Sequence, residues 1–237
     1  LTTVSELKSK LGHVKLVDVR SAAVFQKLHI TDSVNLPLFA VKTKTYWRDQ
    51  SVVLLNEGHS LEAMREEAVR LSAMGFKDVK VLEGGLRAWQ MTGGLVTGSD
   101  TNSLSHATIS AVQFDVARGE PGWLIAAPEN QVLHSDVICE VKNVTAELLS
   151  TAVQRNPAAQ RILMLTPEGH DYERVERALA AFRELPVFYL AGGLQSYQSM
   201  LQDQFAVRNS RTITISSQNQ NPSRFNTGGR SSSKGGS

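Results

Sequence analysis

An order of elements recurs along this chain at a spacing of about 108 residues, and that recurrence constrains the fold more than any other feature. Leu54-Leu55-Asn56-Glu57-Gly58-His59 is echoed by Leu165-Thr166-Pro167-Glu168-Gly169-His170. Each string follows an apolar run (Val52 to Leu55; Ile162 to Leu165) and precedes a charged amphipathic stretch, Glu62 to Met74 in one copy and Tyr172 to Glu184 in the other. A second apolar run then ends in a glycine pair, Val79 to Leu86 and Val187 to Leu194. Upstream, Lys15 to Arg20 parallels Trp123 to Pro128, and Leu28-His29 with Val34-Asn35-Leu36 parallels Leu133-His134 with Val137-Ile138-Cys139. Recurrence at a fixed period marks a duplicated structural unit.

The apolar runs are short and nearly continuous, as expected of strands buried on both faces of a parallel sheet. Helical patterns alternate with them, so the fold class is α/β. The expected division is a unit over 1–98, a Gly/Ser/Thr/Asn-rich linker over 99–105, a second unit over 106–208, and a flexible Ser/Gly/Asn-rich basic tail over 209–237. Within that tail, Thr212-Ile213-Thr214-Ile215 alternates as an extra edge strand would.

Composition narrows the function classes. At 41% hydrophobic and 20% charged residues, the 237-residue chain has the make-up of an ordinary globular protein. It has no apolar run of the roughly 20 residues that cross a bilayer, so no transmembrane segment is expected. The net charge of +2 includes five basic residues after Phe205 (Arg208, Arg211, Arg224, Arg230, Lys234), so the body carries −3. No cluster of Lys and Arg with stacking aromatics suggests a nucleic-acid partner. Cys139 is the single cysteine, which excludes an internal disulfide and a multi-cysteine zinc site. The six histidines have no metal-ligand spacing, and no cofactor motif is present. The first residue is Leu1 and cysteine is scarce, which leans toward a periplasmic or secreted protein, with the cytoplasm as the alternative.

Ligands of open α/β sheets bind beyond the carboxyl ends of the strands. A short loop there, running into a helix N-terminus, aims backbone N–H groups and the positive end of the helix dipole at one point, forming an anion cradle. A cysteine placed in that field would be a nucleophilic thiolate. The candidate loops are Leu55, Asn56, Glu57, Gly58, His59 and Ser60, and Thr166, Pro167, Glu168, Gly169, His170 and Asp171.

Leu16-Val17-Asp18-Val19-Arg20, His29-Ile30 and Val34-Asn35-Leu36-Pro37 together resemble the opening of a rhodanese-like domain. Met74-Gly75-Phe76, Val81 to Leu86, Trp89 and Gly93-Gly94 resemble its closing signature. The likeness spans nearly all of 1–97. It is more eroded over about 106–205, which keep the loop, the helix and Ala191-Gly192-Gly193-Leu194 but have Ala126 and Pro128 in place of the acidic-basic pair. The resemblance implies two tandem small rhodanese-like domains, each a parallel sheet flanked by helices. It also implies that active relatives hold a persulfide on a cysteine three residues before the loop glycine. That position is Leu55 in the first copy and Thr166 in the second, or Asn56 and Pro167 with a one-residue shift, and none is a thiol.

The sequence therefore predicts loops inert for sulfur transfer, with no catalytic residue, on a module that binds a protein partner or a small anion. Alternatives are a hydrolase or transferase using Thr166 with His170 or an inter-domain cleft, and sulfur carriage on Cys139, which sits in a strand-like segment. His59 and His170 are read as exposed loop residues able to meet a ligand. Thr166 or Asp171 is expected to cap the following helix, His29 and His134 to belong to the framework, and Asp18 with Arg20 to form a structural ion pair.

Overall fold

The structure, a computed structural model, describes residues 1–100, 107–128 and 137–218, with the backbone alone for 137–139 and 208–218. Most of the expected linker, His134 and residues 219–237 of the expected tail lie outside the described residues. Leu1–Tyr197 form one compact unit and Gln198 begins a second, so both copies of the repeat share a single body, and the break falls before residue 208.

The first sheet contains β1 (Val14–Asp18), β3 (Val34–Asn35), β4 (Ser51–Leu55) and β5 (Asp78–Val81) in the order β3-β1-β4-β5, every pair parallel. The second contains β7 (Thr108–Ile109), β8 (Trp123–Ala127), β9 (Val137–Glu140), β10 (Arg161–Met164) and β11 (Val187–Leu190) in the order β7-β11-β10-β8-β9, again all parallel. Read from the other edge, the two orders match strand for strand. Where the second sheet has β7, the first has a single bridge, Thr2 to Leu82. A small antiparallel pair, β2 (His29–Ile30) with β6 (Val96–Thr97), closes the first copy.

Both faces of the first sheet are buried, as its continuous apolar strands require. Val17, Val52, Leu54 and Val81 pack on one face with Trp47, Met64 and Leu71. Leu16, Val53 and Leu55 alternate onto the other, against Val4, Leu7, Leu86 and Trp89. Helices α1 (Val4–Ser9), α2 (Ala22–Lys27), α3 (Glu62–Ala73) and α4 (Gly85–Met91) flank this sheet. Around the second sheet lie α5 (Ala111–Ala117), α6 (Ala146–Arg155), α7 (Tyr172–Ala178) and the start of α8 (Gly193–Gln218). Among the described residues no helix is long and apolar enough to cross a membrane.

Three expectations are corrected. Helix α7 ends at Ala178, not Glu184: Ala180 and Phe182 donate to carbonyls three residues back, a tightening that buries both Leu179 and Phe182 in the core. Thr212 to Ile215 are helical, the continuation of α8. An already propagating helix extends at little cost, and no strand among the described residues pairs with this segment. The sheet register, with Met164 opposite Ala126 and Asp18 opposite Leu55, makes Ala127, not Ala126, the counterpart of Asp18.

Candidate functional site

At the carboxyl end of β1, Asp18 and Arg20 form a fully engaged pair. Arg20 Nη2 donates to Asp18 Oδ2 (2.7 Å) and to the Leu28 carbonyl (2.6 Å), and its Nε donates to Asp18 Oδ1 (2.9 Å). Asp18 is 0% exposed. Asn35 Nδ2 ties the same turn through the Asp18 and Arg20 carbonyls. The pair is structural, as the sequence suggests. His29 also serves the framework, its Nδ1 sharing a hydrogen bond with the Phe25 carbonyl (2.8 Å) and its ring stacked on Phe25.

The loop between β4 and α3 is held by its own side chain. Asn56 Nδ2 donates to the Ser60 carbonyl (2.5 Å), and Asn56 Oδ1 accepts from Gly58 N–H (2.7 Å). Gly58, at φ +107°, lies so close to the Gly84 carbonyl that a Cβ would come within 2.1 Å of it. Only glycine permits both the angle and the approach. Leu55, where a cysteine would be counted, is 0% exposed and belongs to the core with Leu86 and Trp89. Glu57 lies 4.0 Å from Arg20 Nη1; burial pushes its carboxyl up and the guanidinium pulls against that shift.

The same loop abuts the amino-terminal ends of the second sheet. His59, read as an exposed loop residue, is 6% exposed, edge-on to Phe188 of β11, with Nδ1 lacking a partner. Burial, reinforced by Arg161 and opposed by Glu120, lowers its pKa to about 4, so the ring is neutral at pH 7. Glu120, in the turn before β8, reaches across to the loop. Its carboxylate accepts from Ser60 Oγ (2.5 Å), Leu61 N–H (3.0 Å) and Glu62 N–H (3.3 Å), and from Arg161 Nη2 (3.0 Å). Arg161 itself lies over the Trp123 ring at 4.6 Å.

The second loop is longer by one residue. In the first copy Leu86 and Arg87 N–H donate to the Asn56 and Glu57 carbonyls; in the second Leu194 and Gln195 donate to those of Thr166 and Pro167. Thr166 therefore matches Asn56, and buried Leu165 matches Leu55. Counting back from the glycine shifts the frame by one position, because the second loop has one more residue between Thr166 and Gly169 than the first has between Asn56 and Gly58.

The structure does not unite Thr166 with His170. The Thr166 hydroxyl is 5% exposed, without a partner in hydrogen-bond geometry, beside the Tyr172 phenol. His170 is 79% exposed in its side chain, with Nδ1 3.4 Å from Glu168. Nor does either expected residue cap α7: Asp171 holds the N-cap position at φ +67° but makes no side-chain bond there. Cys139 lies in β9, its backbone opposite Ala126. The residues that sequence reasoning missed are Glu120 and Arg161.

The rhodanese-like domain family matches residues 3–92. Over 80 residues the chain is 36% identical to the thiosulfate sulfurtransferase GlpE of Pseudomonas savastanoi pv. phaseolicola, spanning 32% of this chain and 73% of that protein. The chain belongs to the rhodanese-like family. Among solved structures, the Alr3790 protein of Anabaena sp. is similar at 23% identity and a TM-score of 0.37, over 41% of this chain and 80% of that one. A thiosulfate sulfurtransferase from Pseudomonas aeruginosa is similar at 20% identity and a TM-score of 0.36, over 84% of this chain and 42% of that one.

Proposed function

We propose that this chain is a catalytically silent tandem member of its family, residues 1–98 and 106–208 being its two rhodanese-like halves, and that it works by binding a protein partner or small anion. The observation that carries this reading is Leu55: the strand-end position from which a thiolate would act is a buried core leucine, and its counterpart Leu165 is equally buried. A leucine has no ionisable group with which to accept sulfur. The loop architecture nevertheless persists in both copies, down to the paired close approaches of Gly58 and Gly169 to the glycine turns. Backbone donors need no cysteine, so recognition can outlast chemistry. Of the two loops, the second is the one open to ligand, with Glu168, His170 and Asp171 facing solvent.

The competing enzyme reading loses support from the separation of Thr166 and His170, since an alcohol attacks only with a base in hydrogen-bond reach. The test is a thiosulfate:cyanide sulfurtransferase assay on the purified chain and on Cys139→Ser. Both are expected to give the rate of the buffer blank. Turnover that disappears in Cys139→Ser would sink the proposal.

A further inference from the structure

The amino end of α3 is filled. Its donors, Ser60 Oγ, Leu61 N–H and Glu62 N–H, all point at one carboxylate, that of Glu120, some sixty positions along the chain. The bond distances run from 2.5 to 3.3 Å, and Arg161 Nη2 adds a fourth contact at 3.0 Å. Glu120 and Arg161 come from the turn before β8 and the first residue of β10, so the acid and its guanidinium belong to the second copy while the three donors belong to the first. Two further observations mark the place as built for negative charge. Arg161, fixed over Trp123, is 1% exposed with Nε unpartnered. A second guanidinium, Arg65, stands near Arg161, its Nε buried and unpartnered too. Against this cluster Glu120 supplies a carboxylate bonded to both halves.

We propose that the first loop is a carboxylate-binding site occupied in cis by Glu120, and that this occupancy latches the two copies together. While the latch is closed, the loop is unavailable to anions from outside the chain; when Glu120 leaves, the site accepts a free carboxylate in its place. The inference does not depend on what the second loop binds. Charge-assisted hydrogen bonds from a helix N-terminus and an arginine are strong where water is excluded, and a partner left alone in such a site is destabilising.

Chemical rescue tests this directly. In Glu120→Ala, the thermal midpoint is expected to fall by roughly 5–15 °C, and the ¹⁵N–¹H amide signals of Leu61 and Glu62 to shift. Acetate should restore both saturably, while chloride at equal ionic strength restores neither and the wild-type chain responds to neither. Wild-type Leu61 and Glu62 signals that titrate with acetate as far as those of Glu120→Ala would overturn the proposal, because the site would then be open. Rescue by chloride equal to that by acetate would overturn it as well. Should Glu120→Ala fail to fold even in acetate, Glu120→Gln, which keeps the shape and loses the charge, carries the test. Shifts centred on Leu61 and Glu62 are expected there, and unmoved signals would refute the latch.

Discussion

Asp18→Ala removes one half of a buried ion pair and leaves the other half in place. Arg20 is 5% exposed in its side chain, and its guanidinium makes three hydrogen bonds to the Asp18 carboxylate, which also accepts from the Arg20 backbone N–H. After the substitution its guanidinium keeps the Leu28 carbonyl (2.6 Å) and, at 4.0 Å, a glancing contact with Glu57. Glu57 is a poor substitute, because burial already disfavours its charged form. Breaking a buried pair by deleting one partner costs about 3–5 kcal/mol. For a unit of this size each kcal/mol moves the midpoint by about 2–4 °C, so calorimetry should record a fall of roughly 6–20 °C. The double variant Asp18→Leu/Arg20→Met removes both charges, and apolar replacement of a buried pair is often close to neutral. The second copy has Ala127 where the first has Asp18, so its sheet folds without a carboxylate at that position. The double variant should therefore recover most of the loss. A cost below about 1 kcal/mol for Asp18→Ala, or a double variant as unstable as the single one, would refute the reasoning.

Further outcomes follow from the first loop. His59 has a folded pKa of about 4 against an ordinary 6.5, so between those values the unfolded chain binds the extra proton. Its stabilising effect is complete above pH 6.5 and is lost as pH falls toward 4, by at most about 3 kcal/mol. Urea titrations of wild type and His59→Phe across that range should differ by this slope; parallel curves would remove His59 from the account. Asn56→Ala deletes both bonds that brace the loop, to Gly58 N–H and the Ser60 carbonyl, and should cost about 1–3 kcal/mol in the same assay. A change within error would show that the loop is held by its backbone alone.

The strands and their sheet were legible because apolar residues without alternating polar ones leave few options but a two-sided parallel sheet. Asp18 and Arg20 were legible for a similar reason, since neighbouring opposite charges at a buried strand end must pair. The second loop was misread by one residue because a glycine makes a strong landmark, while one extra polar residue before Gly169 leaves no trace in hydrophobic pattern. Thr212 to Ile215 misled through alternation, a local signal that tertiary and helical context override. Glu120 was invisible for a different reason. An acidic residue in a Gly-Glu-Pro-Gly turn has the pattern of a solvated loop, and only the packing of one sheet's amino ends onto the other copy's loop brings it to Ser60, Leu61 and Glu62. The burial of His59 follows from the same packing, which a repeat read one copy at a time does not contain.

The central claim is that the chain, its two loops and Cys139 included, carries no sulfur. The most direct measurement is the intact mass of the chain after incubation with thiosulfate, beside the same chain with Leu55→Cys as a probe of the position. The wild-type mass should stay unchanged, with no gain of a sulfur atom. A stable gain of one sulfur, discharged by cyanide and lost in Cys139→Ser, would contradict the account.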